Sequence, residues 1–431
     1  MKIKKILVLT FLTVASSMWG AARLSVEDCQ KMANENYPLI VQYDLMDKFK
    51  EYADKEVRNS WLPQFIFNAQ ASYQSEAPDI PGDIRSSLPP TVSIDGISKD
   101  QYKVGLEINQ TIWDGGYSKH QKAVNESKLQ TNRKDLDVQL YKLNATVNDL
   151  FFGIILIDES MKINDHQIAL LNQNLKYLSS HLENGTITQS DYDAVYVQKL
   201  QCDQQTKQLK SMHSQYIATL KKFIGVDDGV ELDLQKPNLE NNDFVGAVNN
   251  RPELQLFEAQ QSLLNSQRRA VNTSLTPKIG LFASGFYSNP GLNFVEDMMD
   301  NQWSWNYIVG VSLKWNIGAF YNRKSSLNKI KTQSNLIDTN RELFLFHNDI
   351  EQTQTNKEID EIKQQIEDDN TIISLRKSIR EAAESKLKNG VIDVNDLLTK
   401  ITEERVSMLT KCKHDVDLMK AIYKLKYTNN N

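Results

Sequence analysis

Six histidines are the first residues to weigh for chemistry: His120, His166, His181, His213, His347 and His414. No two stand at i,i+4, and neither HExxH nor CxxC occurs, so the spacing a zinc site needs is missing. No glycine loop is present to cradle phosphate, and no GxSxG turn presents a serine nucleophile. Cys29, Cys202 and Cys412 are too few, and odd in number, for a disulfide framework. Cys202 and Cys412 sit among the apolar positions of helical runs, where a thiol behaves as a small hydrophobe. These residues predict no catalytic, cofactor or metal site. One acidic pattern remains. Asp191 and Asp396 each follow a glycine, Gly185 and Gly390, by six residues. Both fall in the first turn of a predicted helix, where the helix dipole favours a carboxylate by a few tenths to about 1 kcal/mol. Capping alone accounts for acids there, whereas several copies brought to one level would attract cations.

The elements that position these acids are long helices, interrupted by four unusual strands. In the stretch from Trp61 to Tyr73, Phe65, Phe67, Ala69, Ala71 and Tyr73 alternate with Asn68, Gln70 and Ser72. Period two puts an aromatic and aliphatic set on one face and amides and hydroxyls on the other, as in a barrel wall with lipid outside and water inside. Tyr102, Val104, Leu106 and Ile108 alternate likewise. So do Ile279, Leu281, Ala283, Gly285 and Tyr287, and then Tyr307, Val309, Val311, Leu313 and Trp315. The predicted lipid-facing set is Phe65, Phe67, Tyr73, Tyr102, Leu106, Leu281, Tyr287, Tyr307, Val311 and Trp315. Tyrosines gather at the loop end of these strands and Trp61, Trp113 and Trp315 at the other, as two interfacial belts.

The second half of the chain repeats the first. Pro38 to Pro63 and Pro252 to Pro277 are both 25 residues, and Gly185 and Gly390 are 205 apart, as are Asp191 and Asp396. A repeat outranks other signals when choosing a fold. The first repeat, 23–236, is expected to hold a helix broken at Pro38, a strand pair within 64–113 and a helical hairpin over 117–225. The second, 237–431, is expected to hold a helix from about 243 interrupted at Pro252, a strand pair within 278–315 and a hairpin over 321–427. Apolar residues from Leu136 to Leu182 step by threes and fours, with Asn164 the polar exception, which predicts a coiled-coil seam. At ~1.5 Å per residue, such a helix is about 100 Å long.

Residues 1–22 read as a secretory leader: Lys2, Lys4 and Lys5, an apolar run, then Gly20 and Ala22 before a cleavage point. No other apolar run is expected to reach the roughly 20 residues of a spanning helix. A membrane protein of this kind therefore needs a closed barrel. The chain has 431 residues, 40% hydrophobic and 24% charged, with a formal net charge of −5. It can bury a large core and offers no basic face for nucleic acid.

Several short matches in this order resemble the TolC family of bacterial outer-membrane efflux proteins, over the whole mature chain. They are Leu24-Ser25-Val26-Glu27-Asp28, Trp61-Leu62-Pro63, Trp113-Asp114-Gly115-Gly116, and the two turns Gly185…Asp191 and Gly390…Asp396. The resemblance implies a mainly α fold with a membrane β-barrel: a homotrimer with a 12-stranded barrel and a helical periplasmic tunnel. It also implies partnership with a periplasmic adaptor (membrane fusion) protein and an inner-membrane pump. In that family acids ring an aperture at the hairpin tips, which here implies Asp191 and Asp396. The family's second acid in the later copy is replaced by Thr399, with Asp393 as the candidate substitute. Gly185, Thr186, Gly390 and Val391 would form the tip that meets the adaptor. Gly318-Ala319-Phe320-Tyr321 stands where the second copy should repeat Trp-Asp-Gly-Gly, so the exit from the fourth strand is expected to differ. The competing reading is a secreted or periplasmic coiled-coil scaffold with a small soluble sheet and no channel.

Overall fold

A computed structural model of the chain describes residues 23–89, 91, 94, 96–238 and 249–429. The expected leader, 1–22, lies outside them. Strand β1 (Arg23–Leu24) leads into helix α1 (Val26–Asn36). Ser25 starts that helix by a reciprocal capping box. Its hydroxyl accepts from the Asp28 N–H at 3.1 Å, and the Asp28 carboxylate accepts from the Ser25 N–H at 3.1 Å. The Ser25 hydroxyl also donates to that carboxylate at 2.7 Å, and this bond together with the one from the Ser25 N–H holds the Asp28 carboxyl below its usual range. Pro38 ends the run as expected, opening a 3₁₀ turn (Pro38–Ile40) before α2 (Val41–Asn59).

Two compact units emerge, and each draws on both halves of the chain. One comprises Tyr43–Arg133 and Leu256–Asn340. It holds β2 (Gln64–Tyr73), the short α3 (Gly82–Ser86) and β3 (Asp100–Trp113). From the second half it takes β5 (Lys278–Asn289), α7 (Phe294–Asp300) and β6 (Ser304–Lys314). The four strands form one antiparallel sheet in the order β2-β3-β5-β6, so the two strand pairs meet at β3 and β5. β2 and β6 are left as open edges, each with a single neighbour.

The other unit comprises Lys134–Gln255 and Arg341–Asn431 with the chain up to Gln42. Four helices supply it: α4 (Tyr117–Glu183), α5 (Gln189–Ile224), α8 (Ala319–Lys388) and α9 (Val394–Asn429). One core packs α1 (Val26, Cys29, Ala33) against Val147, Phe151 and Phe152 of α4, Leu220 and Ile224 of α5, and Met419 of α9. Both phenylalanines are fully buried, and deleting a side chain of that size costs about 3–5 kcal/mol. β4 (Asp233–Leu234) pairs parallel with β1 above this core. A second core (Leu171, Leu178, Val195, Cys202, Val394, Ile401) joins the two hairpins near their turns. Asn164 is buried in the seam, where its amide donates to the Cys202 carbonyl and to Thr206 Oγ1, both at 2.8 Å.

Two sequence expectations need adjustment. α4 does contain an 18-residue window long and apolar enough to cross a membrane, and 44% of it is buried. Its apolar side chains serve the first core, which is why they are so dense. The part of the second copy's expected helix before residue 249 lies outside the described residues, and Pro252 opens α6 (Pro252–Val271) instead of interrupting it, a position where proline costs no hydrogen bond. The two strand exits do differ, as the altered motif led one to expect. After β3, Asp114 caps α4 by accepting from the Gly116 and Ser118 N–H groups at 2.9 and 2.7 Å. After β6 no such cap exists among the described residues; Ile317 and Gly318 turn directly into α8 at Ala319.

All three cysteines are free and buried. Burial pushes the Cys29 thiol up to about 12 and that of Cys412 up to about 11. Neither is a thiolate at neutral pH, which fits packing rather than reactivity. Missed by sequence reading was a buried Arg251–Glu253 pair at 2.5 Å that opens α6. The Arg251 guanidinium lies 4.7 Å from the Tyr427 ring and 5.1 Å from that of Tyr141, which themselves stack at 4.4 Å. It ties the start of α6 to α4 and α9 through desolvated cation–π contacts.

Candidate functional site

Two features of the chain could act on a partner or solute: the faces of the sheet and the tips of the hairpins. The register decides the faces. Phe67 stands opposite Leu106, Leu106 opposite Gly285, and Gly285 opposite Tyr307. One row up, Phe65, Ile108, Ala283 and Val309 align. Alternation then carries Tyr73, Tyr102, Leu281, Tyr287, Val311 and, just beyond β6, Trp315 to the same face. All ten residues expected to face lipid are exposed, Phe67 at 70% and Tyr307 at 79%. An apolar face of this extent, fully open to its surroundings, is more than a water-soluble surface ordinarily shows.

Aromatic residues gather where the belts were expected. At the loop end, Trp303 stacks on Tyr102 at 5.9 Å and on Tyr287 at 5.0 Å, and Trp305 lies 5.1 Å from Tyr287. At the other end the indole N–H of Trp61 donates to Ser118 Oγ at 2.7 Å, and that of Trp315 to the Leu275 carbonyl at 2.9 Å. Apolar rings with one satisfied polar handle suit a boundary between hydrocarbon and water. The opposite face carries Asn68, Gln70, Lys103, Glu107, Ser284 and Asn306, with Phe282 and Phe286 among them.

The two hairpin turns are built alike. Gly185 and Gly390 adopt φ of 70° and 66°, a left-handed conformation that side chains resist. The Thr186 N–H returns to the His181 carbonyl at 2.9 Å, and the Val391 N–H to that of Lys386 at 2.9 Å. These are Schellman closures, which satisfy carbonyls left over at a helix end. Thr186 and Val391 are both exposed at the turns. Between the turns lies a groove of about 490 Å³, lined by His181, Thr188, Asp191, Lys388, Asp393 and Val394, among others.

The four candidate aperture residues divide. Asp191 closes a capping box with Thr188: its carboxylate accepts the Thr188 hydroxyl at 2.7 Å and the Thr188 N–H at 3.0 Å. Asp393 takes the place of Thr188 in the second copy and caps α9 by accepting from the Asp396 N–H at 2.8 Å. Both line the groove, yet both carboxylates are engaged in starting helices. Asp396 is exposed, and its carboxylate has no hydrogen-bond partner among the described residues. Thr399 returns its hydroxyl to the Asn395 carbonyl at 2.9 Å. Neither Asp396 nor Thr399 lines the groove. Of the four, Asp396 alone offers an unengaged charge.

No protein-family model and no curated protein matches the sequence. Solved structures do. The outer-membrane channel OprN superposes with a TM-score of 0.66 at 13% identity, covering 94% of this chain and 89% of that one. CusC, studied for transmembrane channel formation, gives 0.67 at 12% identity over 96% and 95% of the two chains. The outer-membrane protein VceC of Vibrio cholerae gives 0.65 at 10% identity over 94% and 96%. The chain has the fold of these outer-membrane channels. The mainly helical architecture with one four-stranded sheet, expected from the sequence, is that fold, and the short β1–β4 pair is an addition to that expectation. At such low identity the likeness speaks for the backbone, and the side-chain chemistry has to be argued from this chain.

Proposed function

We propose that this protein is an outer-membrane channel of the TolC family, and that it works as a trimer. The observation that carries the proposal is the sheet: four antiparallel strands, one continuous aromatic face and two open edges. Hydrocarbon cannot hydrogen-bond the unpaired backbone of β2 and β6, so in a bilayer these edges must be closed by other copies. Three chains supply twelve strands, a number within the range of closed membrane barrels. The hairpins then extend into the periplasm as a duct. The turns at Gly185, Thr186, Gly390 and Val391 are the surface offered to a periplasmic adaptor, itself joined to an inner-membrane pump. Asp396 contributes acidic charge near that end. The channel is a passive exit for efflux of small molecules or proteins, with no catalysis of its own.

The competing scaffold reading leaves Phe67, Tyr307, Val309 and Val311 facing water, which is costly at about 25 cal/mol per Å² of apolar area. The test is extraction from outer membranes followed by light scattering with the detergent mass subtracted, and conductance in planar bilayers. A trimer of three chain masses that conducts supports the proposal. A monodisperse monomer in the soluble fraction refutes it.

A further inference from the structure

We propose that the periplasmic base of the barrel lumen is an anion-attracting ring formed by Lys278 and Lys314. The proposal builds on the trimeric-channel reading above and assigns a charge preference to its lumen. Lys278 of β5 stands directly opposite Lys314 of β6. Like charges directly opposite one another in an antiparallel pair repel, and sheets ordinarily avoid them. Both side chains are exposed, and neither has an ion-pair partner among the described residues. The Lys278 ammonium lies 5.0 Å from the Tyr117 ring, whose negative face helps hold a cation there. Nothing in the sheet's own stability asks for two lysines here.

Register also says which way they point. Lys278 alternates with Gly280, Phe282, Ser284 and Phe286, and Lys314 with Ser312 and Gly310, all on the face away from the aromatic surface. Lysines that served lipid headgroups would sit on the aromatic side. Next along their strands come Gly280 and Ser312, too small to shield the ammonium groups. Higher on the same face Lys103 rests 3.9 Å from the Phe286 ring, and Glu107 accepts from the Asn109 amide at 2.7 Å. Three cations against one carboxylate leave this face net positive, in a chain whose formal net charge is −5. Three copies would bring six lysines to one level. Low-dielectric walls focus such a field, so solutes carrying carboxylate, phosphate or sulfate would be concentrated at the base.

The experiment is reversal-potential measurement in a potassium chloride gradient on trimers in planar bilayers. It compares the wild type with Lys278→Gln, Lys314→Gln and the double variant. The permeability ratio should move toward potassium, further in the double variant than in either single one, and more at low than at high salt. Lys314→Glu should move it further than Lys314→Gln. An unchanged ratio in a double variant with wild-type unit conductance overturns the inference while leaving the channel reading intact. Lost membrane extraction with an unchanged ratio in the remaining channels also overturns it, since the lysines would then be headgroup anchors. A wild-type trimer that never conducts brings down the channel reading, and this inference with it. If the double variant does not assemble, Lys314→Gln alone decides, because Lys314 has no ion pair among the described residues whose loss could unfold the sheet.

Discussion

Arginine placed at Phe67 should be far more costly than arginine placed at Ser284, although both sites lie mid-strand. Phe67 belongs to the row Phe67, Leu106, Gly285, Tyr307 and is 70% exposed on the aromatic face. A guanidinium near the bilayer midplane of a barrel costs about 2–4 kcal/mol. That is roughly 30- to 700-fold in the folding equilibrium of each chain. Snorkelling toward the interface pulls the figure to its lower end. Ser284 sits on the other face, between Glu107 of β3 and Ile308 of β6. An arginine there enters water beside a carboxylate, and the change should stay within about 0.5 kcal/mol. Urea titration of protein folded into vesicles, followed by tryptophan fluorescence, gives both values from midpoint and slope. Equal losses at the two sites would refute the inside-outside assignment. A neutral Phe67→Arg would refute the membrane altogether, because a water-exposed aromatic face gains from a charge.

Four further outcomes are expected. Asp191→Ala should lower thermal stability by about 1 kcal/mol through loss of the capping box with Thr188. Asp396→Asn should cost only a few tenths, yet reduce cation preference and multivalent-cation block in single-channel recordings; no electrical change would make Asp396 a first-turn acid and nothing more. Glu404→Ala removes the buried carboxylate through which Arg380 bridges α8 to α9, both side chains being under a tenth exposed. Arg380 keeps Glu384 at 2.6 Å, so the loss should be that of one charge-assisted hydrogen bond, about 1.5–3 kcal/mol by chemical denaturation; removing Glu384 as well should cost more than the sum of the two single changes. Burial raises the Glu27 carboxyl, but hydrogen bonds from Lys426 and Tyr423 outweigh it and hold the group below its usual range. Its contribution is therefore present above the unfolded carboxylate value of about 4.3 and lost as pH falls through the folded one. Glu27→Gln should destabilise at pH 7, with the gap to wild type closing below about pH 4; a gap that persists in acid would rule out the charge as its source.

What a few neighbouring residues can encode was legible without coordinates. Alternation from Phe65 to Tyr73 dictates two faces because successive side chains of a strand point opposite ways. Gly185 and Gly390 mark hairpin turns because a left-handed residue after a long helix is nearly always glycine. Asn164 stood out as the polar member of an apolar seam, and the structure gives it two hydrogen bonds to α5. The tip acids were legible as positions and not as roles. Asp191 and Asp396 occupy the same place in the two copies, yet Asp191 is engaged by Thr188 while Asp396 is not. The difference comes from which residue, Thr188 or Asp393, starts the helix.

Pairing across long separations was decided only in three dimensions. That β3 joins β5, and that Lys278 meets Lys314 and not a neighbour two residues away, depends on register. Register is set jointly by loop closure and by burial or exposure of whole faces. The Arg251 cage needs Tyr141, Phe344 and Tyr427, drawn from three helices, to converge. No local periodicity marks such a meeting. Sequence pattern determined the elements and their faces, since those follow from backbone geometry over a few residues. The tertiary fold decided which charges stand alone, because a partner is chosen by distance in space.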